Sequence, residues 1–322
     1  MPKGFRNAVI LFIVLFLAVF CVFICFDTKI KQGTHYFIND GEGMFKFANN
    51  LEKRGIISSA FKFKLYSKVW SFIYGCGIVQ AGDDSLRKDE SYFNVIDKVC
   101  NGRTLLKTIT IPEGFETREI VNEINNNRDL IGGKIVFFEE GKLLPETYSF
   151  QSGVKREIIF NKMKQDFSRF LEEEWERRER NDFIKTPTDA VILASIVEKE
   201  AKTDEERPII ASVYLNRLSI GMKLDADPTT IYEITRGRYK MQRLLKLDDL
   251  KIKGDYNTYT KKGLPISPIC NPGKKSILAV LHPAKTDYLY FVANADLSGH
   301  IFSDNYKDHL KNIKKVKSQK SG

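Results

Sequence analysis

The sequence is poor in the residues and motifs on which metal-dependent and nucleophilic enzymes rely. It has four histidines in 322 residues, and neither His282 nor His300 has a cysteine or acidic partner at metal-ligand spacing. A GxSxG elbow, a Walker-type glycine loop and an HExxH motif are all absent. We therefore expect no metal and no cofactor. Acidic side chains with polar and aromatic neighbours are then the remaining candidates for catalytic residues.

Cysteine is scarce as well. Of the five cysteines, Cys21 and Cys25 lie in an uncharged apolar run, which leaves Cys76, Cys100 and Cys270 as an odd set without metal-like spacing. In an oxidising compartment this set allows one disulfide and requires none.

Charge is missing from residues 8–26, a run long enough for a helix to cross a hydrocarbon layer of about 30 Å. The run predicts a transmembrane helix. A cleaved signal peptide, the alternative, needs a shorter apolar core and a small-residue cleavage site. Lys3 and Arg6 place residues 1–7 in the cytoplasm. We therefore expect a single-pass membrane protein with the rest of the chain outside the cytoplasm.

Positive charge, by contrast, is in excess. The net charge of +10 fits contact with an anionic polymer or a membrane surface, and it fits a lysine-rich solvated surface equally well. The excess of positive charge does not distinguish these possibilities. Nothing else in the sequence indicates nucleic-acid binding.

Two stretches share a strand, a glycine turn and a helix, counted from Gly41 and from Gly114. The apolar positions recur at the same offsets in both, as Phe47, Ala48 and Leu51 and as Ile120, Val121 and Ile124. This similarity indicates either a duplication or a coincidence of a common pattern. Small units of this kind predict an α+β accessory module over residues 30–112.

An aromatic helix is predicted between the two stretches. Phe61, Leu65, Val69 and Phe72 recur at spacings of four and three and so share one helix face. After the module, residues 113–185 read as a connecting region, in which residues 168–183 form a highly charged, exposed helix.

Residues 186–318 predict a mostly helical domain with a long irregular rim and a short β element near residues 288–292. Its first helix, "DAVILASIVEKEA", ends with Glu198 and Glu200, which point about 200° apart. Glu200 shares a face with Leu193, Ile196 and Val197, so lost hydration raises its pKa toward that of a general acid. The alternative is a frayed helix end with two solvated glutamates.

Two further motifs accompany this helix. In "DADPTT", Asp227 before Pro228 has the form of an N-cap, with substrate contact as the alternative, and Thr229 borders the same turn. In "YNTYTKKGLPISPICNPG", Tyr256, Asn257 and Tyr259 precede a turn-rich path suited either to sugar binding or to an ordinary connection.

Taken together, these motifs resemble the YceG-like, MltG-type endolytic murein transglycosylases. The resemblance runs from about Leu143 to His300 and rests on five stretches, "LLPETYSF", "ILASIVEKEA", "ASVYLNRLSIGMKLDADPTTIYEI", "YNTYTKKGLPISPICNPG" and "LAVLHPAKTDYLYFVA". It implies an α+β protein with an N-terminal transmembrane helix, a LysM-like α+β module and a mostly helical, lysozyme/transglycosylase-like catalytic domain over residues 186–318.

The resemblance also implies a reaction. Glu200 would protonate the oxygen between N-acetylmuramic acid and N-acetylglucosamine and then, as a carboxylate, accept the proton of the muramoyl 6-hydroxyl while a 1,6-anhydro ring closes. The expected partners are peptidoglycan glycan strands, the inner membrane through residues 8–26, and peptidoglycan synthases. The residues expected to hold the sugar are Glu198, Asn216, Asp227, Thr229, Tyr256, Asn257 and Tyr259.

Two other functions stay open. A muramidase-type hydrolase would use Glu200 as the acid and Asp227 as the base for a water molecule. A non-catalytic glycan-binding scaffold of the cell-wall machinery would use neither residue for chemistry.

Overall fold

A computed structural model describes residues 28–38, 42–75, 82–101 and 106–320. The predicted tail 1–7 and transmembrane segment 8–26 lie outside these residues and stay predictions. Within the described ranges, no helix has both the length and the apolar character that crossing a membrane requires. The chain divides into two compact units. Of the described residues, unit 1 comprises those up to Lys107 together with Phe150–Gly153, and unit 2 comprises Thr108–Ser149 and those from Val154 onward.

Unit 1 is a small helix and strand unit. Its elements in chain order are β1 (Thr34–Ile38), α1 (Met44–Lys53), α2 (Ala60–Tyr74), β2 (Gly82–Leu86) and α3 (Tyr92–Asn101). Strands β1 and β2 pair antiparallel, with Thr34 opposite Leu86 and Ile38 opposite Gly82. The core contains the predicted face of α1, namely Phe47, Ala48 and Leu51, each at most 1% exposed.

Helix α2 confirms the predicted aromatic helix but not the burial that an apolar face ordinarily implies. Phe61 is 68% exposed and Phe72 is 92% exposed. The opposite face is buried instead, where Phe63 and Trp70 make edge-on ring contacts with residues of α1 and α3. Because both faces of this helix are apolar, periodicity alone does not show which of them packs inward.

Unit 2 carries seven of the described helices and six short strands. They are β3 (Lys107–Thr110), α4 (Thr117–Asn126), β4 (Leu130–Ile131), β5 (Thr147–Phe150), β6 (Val154–Lys155), α5 (Arg156–Arg177), α6 (Pro187–Glu200), α7 (Glu206–Ser219), α8 (Asp227–Thr235), α9 (Lys274–Leu281), β7 (Tyr290–Ala293), β8 (His300–Ser303) and α10 (Tyr306–Lys320). β3 begins and β5 ends at residues assigned to unit 1. The described strands pair two by two, as β3 with β5, β4 with β6 and β7 with β8.

Helix α6 is the centre of the unit 2 core. Every residue from Ala190 to Val197 is buried, and α5, α7, α8 and α9 all pack against the helix. It begins with a capping box, in which the Thr186 hydroxyl accepts from the Asp189 N–H and the Asp189 carboxylate accepts from the Thr186 N–H. Pro187 follows the cap, where its missing N–H costs no hydrogen bond.

The remaining predictions about the fold have mixed outcomes. Ile120, Val121 and Ile124 form the buried face of α4, as expected. The predicted charged helix ends earlier, because α5 stops at Arg177 and not at Phe183. The predicted connecting region 113–185 lies within unit 2, apart from Phe150–Gly153. The short β element is the antiparallel β7–β8 hairpin.

The cysteines that the structure describes differ in state. Cys100 is disulfide-bonded, whereas Cys270 is a buried free thiol. Burial raises the pKa of the Cys270 thiol well above its usual range, so it stays protonated and unreactive. Cys76 lies outside the described residues.

Candidate active site

Glu200 is the last residue of α6, where the buried helix reaches the protein surface. Its side chain is half-buried, and the hydroxyl of Tyr214 from α7 hydrogen-bonds to its carboxyl group. Asp227, the first residue of α8, supplies a second carboxyl group close enough to interact electrostatically. The positive charges of Lys202 and Arg217 also interact with the carboxyl group of Glu200. One acid therefore sits between a hydroxyl, a carboxylate and two cations.

The environment of Glu200 raises its pKa to about 7. Desolvation is the largest cause, since the low-dielectric surroundings disfavour the charged form, and the negative charge of Asp227 adds to it. The Tyr214 hydrogen bond and the two cations oppose the shift. At neutral pH the group is therefore divided between an acid that can donate a proton and a carboxylate that can accept one.

Asp227 does not cap its helix, which corrects the prediction from "DADPTT". The N-cap position belongs to Ala226, Asp227 is the first helical residue, and its side chain makes no capping hydrogen bond. The carboxylate is exposed and accepts a hydrogen bond from the Tyr259 hydroxyl at 2.7 Å. Burial, together with this bond, raises the pKa of Tyr259, so the phenol stays a donor. Asp227 and Tyr259 therefore lie on the same side as Glu200.

Arg217 is a site residue that sequence reasoning missed. It is buried, and its guanidinium donates to the carbonyl oxygens of Leu224 at 2.6 Å and of Leu289 at 2.7 Å. These bonds fix a positive charge that acts on both Glu200 and Asp225. The signal was present in "ASVYLNRLSIG", where Tyr214 and Arg217 are three apart and share a helix face.

Glu198 points away from this site, as the helical geometry predicted. Its side chain is 6% exposed and pairs with Arg207 at 3.2 Å. Its other oxygen accepts from the Gly273 N–H at 2.9 Å. A side chain at Gly273 would meet the carboxyl group of Glu113, which would have to move aside. Glu198 thus ties α6 to α7 and to the start of α9.

Asn257 and Thr229 are buried supports of the site. Both are 0% exposed, so neither side chain is accessible from the surface of this structure. The Asn257 amide donates to the carbonyls of Leu250 and Ile252, and its oxygen accepts from the Thr230 hydroxyl and the Tyr259 N–H. Thr229 bonds to Ala226 and to the Thr258 hydroxyl. Sequence spacing located these residues beside the site but did not reveal their burial.

Tyr256 and Asn216 also have internal partners. The Tyr256 hydroxyl lies 2.6 Å from the Ser267 hydroxyl, and its ring is 8% exposed beneath Arg236. The Asn216 amide donates to the carbonyl oxygens of Thr286 and Tyr288, which holds the segment before β7 against α7. The structure thus brings Glu200, Asp227 and Tyr259 together and gives the other predicted residues positions inside the scaffold.

We expect Asn257→Ala to destabilise the protein by about 3 kcal/mol, because it leaves two carbonyls and two donors without their buried partner. Chemical denaturation checks the free energy of unfolding. Asn161→Ala, at an exposed position of α5, is the control and should change it little. An unchanged stability with lost activity would show that Asn257 contacts substrate.

Among the residues that the structure describes, no group of three or more His, Cys, Asp or Glu side chains is placed to hold a metal ion. His300 has an acidic partner that is distant in the sequence, since its Nδ1 lies 3.0 Å from the Glu206 carboxylate. The two residues are 94 positions apart in the chain, so local spacing cannot reveal the pair.

These observations define a two-unit protein of helices and short strands whose larger unit presents, at the end of α6, a carboxyl group with a pKa raised to about 7. The chain belongs to the YceG-like family, whose family model matches residues 36–315. It is 30% identical over 316 residues to the Endolytic murein transglycosylase of Bacillus subtilis (strain 168), covering 88% of this chain and 85% of that protein.

Other relatives agree with this membership. The Endolytic murein transglycosylase of Streptococcus pneumoniae serotype 2 (strain D39 / NCTC 7466) is 24% identical over 332 residues, which cover 89% of this chain and 59% of that protein. A crystal structure of a YceG-like protein from Listeria monocytogenes has a TM-score of 0.54 at 26% identity, covering 87% of this chain and 98% of that one.

Proposed function

We propose that this protein is an endolytic lytic transglycosylase that cleaves the β-1,4 bond between N-acetylmuramic acid and N-acetylglucosamine in peptidoglycan glycan strands. The observation that carries the proposal is the raised pKa of Glu200, about 7, at the exposed end of a buried helix. Membership of the YceG-like family and the name of the curated relatives support the same substrate.

Glu200 serves in turn as acid and base. Its protonated form gives a proton to the glycosidic oxygen as the bond from that oxygen to muramoyl C1 breaks. The resulting carboxylate then accepts the proton of the 6-hydroxyl as that oxygen bonds to C1, which closes the 1,6-anhydro ring and consumes no water. One carboxyl near its pKa suits both steps.

The neighbours of Glu200 have separate roles in the proposed reaction. The Tyr214 hydrogen bond stabilises the carboxylate between the two steps. Desolvation, together with the negative charge of Asp227, keeps the pKa of Glu200 high. Tyr259 holds the Asp227 carboxylate in place through its hydrogen bond. Arg217 limits the shift, so that the acid can still release its proton.

Hydrolysis is the second candidate, because Asp227 is a second carboxylate beside Glu200. In an inverting hydrolase it would activate a water molecule and leave a reducing muramoyl end. Mass spectrometry of products from purified glycan strands separates the reactions, since an anhydro product is lighter by one water. Reducing ends as the sole product would overturn the lytic reaction.

Asp227→Asn provides a sharper test of the same choice. In the lytic reaction, removing this charge lowers the pKa of Glu200, so the upper limb of the pH–rate profile shifts to lower pH while anhydro products persist. In the hydrolytic reaction, loss of the base lowers cleavage by about 10²–10⁴-fold at every pH. Asp182→Asn, at an exposed acid elsewhere in unit 2, is the control and should leave the profile unchanged.

The cellular setting belongs to the same proposal. Residues 8–26 anchor the chain in the inner membrane, and unit 1 corresponds to the LysM-like accessory module, an assignment supported by the two strands and three helices among its described residues. The catalytic unit then acts outside the cytoplasm on newly made strands, beside the peptidoglycan synthases that supply them. A non-catalytic scaffold would instead keep its cellular function after Glu200→Gln.

A further inference from the structure

Helix α2 presents an apolar surface that is left uncovered by the residues of unit 1 that the structure describes. We name it the α2 stripe and define it by Phe61, Leu65, Val69, Phe72 and Ile73, which follow one another along one helix face. Four of these side chains are 47% to 92% exposed, and Leu65 is half-buried. A continuous apolar stripe of this kind on a protein surface marks a site of contact with a membrane or another molecule.

The stripe lies opposite the packed face of its own helix. The buried residues Ala60, Phe63, Ser67 and Trp70 point into the unit 1 core. At 3.6 residues per turn, the centre of the stripe is about 180° from the centre of this buried face. The stripe therefore faces directly away from unit 1 and is a surface for an external contact.

The charges beside the stripe indicate what covers it. Helix α2 contains Lys62, Lys64 and Lys68 and has no acidic residue. The ammonium groups of Lys64 and Lys68 lie within 6 Å of the exposed ring of Phe45 from α1, at 5.6 and 5.9 Å. Aromatic side chains flanked by lysines are typical of helices that lie in the interfacial layer of anionic membranes.

Chain length then limits the distance of unit 1 from the membrane. The predicted transmembrane segment ends at residue 26, and Ile30 is already 0% exposed in the unit 1 core. Four residues span at most about 14 Å when fully extended. Unit 1 is therefore held against the membrane surface wherever residues 8–26 cross it.

The point at which the chain enters unit 1 lies beside the start of α2. The Lys31 N–H donates to the Ile56 carbonyl at 2.8 Å, and the buried Ile56 and Ile57 come just before Ser59, the N-cap of α2. The chain thus enters unit 1 beside the end of α2 that carries Phe61. From this point the helix extends about 22 Å over its 15 residues.

We propose that the α2 stripe lies in the interfacial layer of the membrane that residues 8–26 are predicted to span, with its apolar side chains among the lipid acyl chains and Lys64 and Lys68 beside anionic headgroups. The membrane contact rests on that predicted anchor and is independent of the reaction proposed for Glu200. Its consequence is that unit 1 lies flat on the bilayer and does not extend from it on a free tether.

Photocrosslinking of the full chain in nanodiscs tests this contact. Phe72→p-benzoylphenylalanine keeps an aromatic group at a position that is 92% exposed, and illumination joins it to whatever touches the stripe. The nanodiscs contain equal amounts of phosphatidylglycerol and phosphatidylcholine. We expect a lipid adduct, identified by mass spectrometry, with phosphatidylglycerol in excess.

Matched variants make the result specific. The same substitution at Phe138, which is 76% exposed in unit 2, should give much less lipid adduct. Adding Phe61→Ser and Val69→Ser should lower the adduct at position 72 by about tenfold, because apolar contact with the acyl chains is lost. Lys64→Ser with Lys68→Ser should remove the excess of phosphatidylglycerol. These are exposed or half-buried positions, so folding is preserved and is checked by circular dichroism.

Other outcomes overturn the proposal. A crosslink to a second copy of the chain would assign the stripe to a dimer interface. A position 72 adduct no greater than that at position 138, or unaffected by Phe61→Ser and Val69→Ser, would show that the stripe does not lie in the bilayer. Failure of the full chain to enter nanodiscs would overturn the predicted anchor together with the membrane contact.

Discussion

Glu200→Gln should lower glycan cleavage by about 10²–10⁴-fold while the protein keeps its fold. Glutamine has the shape of glutamate and preserves hydrogen bonding to Tyr214, but it cannot donate or accept the proton that both steps need. The measurement is the rate of product formation from purified glycan strands. Glu205→Gln, an exposed carboxylate outside the site, is the matched control and should keep full activity.

The same variant has a second, opposite effect on stability. The folded-state pKa of Glu200, about 7, lies above its ordinary value of 4.5. The folded protein therefore binds more protons than the unfolded chain between these values, and stability falls as pH rises through that window. Glutamine does not titrate, so Glu200→Gln should be more stable than wild type above pH 7, by up to about 3 kcal/mol, and similar near pH 4. Unfolding at the two pH values measures the difference.

This pair of results would place Glu200 at a site where stability is given up for chemistry. Unchanged cleavage by Glu200→Gln would end its assignment as the acid and would favour the scaffold function. A loss of cleavage accompanied by lower stability at neutral pH would contradict the raised pKa, since removing an unfavourable buried charge cannot destabilise the fold by itself. Glu140, whose pKa burial also raises to about 7, is present in both proteins and cancels in the comparison.

Glu198→Ala should destabilise the protein by about 3 kcal/mol, the second large effect that we expect. The change leaves the buried Arg207 without its partner at 3.2 Å and leaves the Gly273 N–H without an acceptor. A buried N–H without its acceptor and a buried guanidinium that loses one carboxylate partner each cost about 1–3 kcal/mol. Denaturant unfolding measures the loss, and residual activity per folded molecule separates it from any catalytic effect.

Glu198→Gln is the graded control for this prediction. Its amide oxygen can still accept from Gly273, so the loss should be smaller than that of the alanine variant. Arg207 keeps contacts with Asp204 and Ser276 in both variants, which limits the effect. Normal stability of Glu198→Ala together with lost cleavage would reverse the roles assigned to the two glutamates, because only a residue acting on substrate behaves in that way.

Much of the scaffold follows from local patterns. The buried faces of α1 and α4 lie where apolar spacing indicates, since one-sided burial imposes the 3.6-residue period on a sequence. The burial of α6 and the divergence of Glu198 from Glu200 follow from the same geometry. Helix α2 shows the limit of this reasoning, because it has two apolar faces and only the positions of α1 and α3 select the one that is buried.

The candidate site was predictable only in part, for a related reason. Glu200 stood out because local neighbours on its own helix are apolar, whereas the partners of Asn257 and Thr229 come from other elements. A polar residue in a turn-rich loop has the same sequence signature whether it faces substrate or is buried by hydrogen bonds. The burial of these two residues, and the pairing of Asp227 with Tyr259, become visible only when α8 and the loop after it are placed together.

Helical spacing and linear motifs are local properties of the chain, so they were enough to predict most helices, the acidic residue at the end of α6 and the family resemblance. The polar residues around that acid, and the face of α2 that is left uncovered, follow from how separate elements pack together. The pKa of Glu200 rises through desolvation and the charge of a residue 27 positions away. Electrostatic energy depends on distance through space and on the dielectric surroundings, and the packing of separate elements sets both.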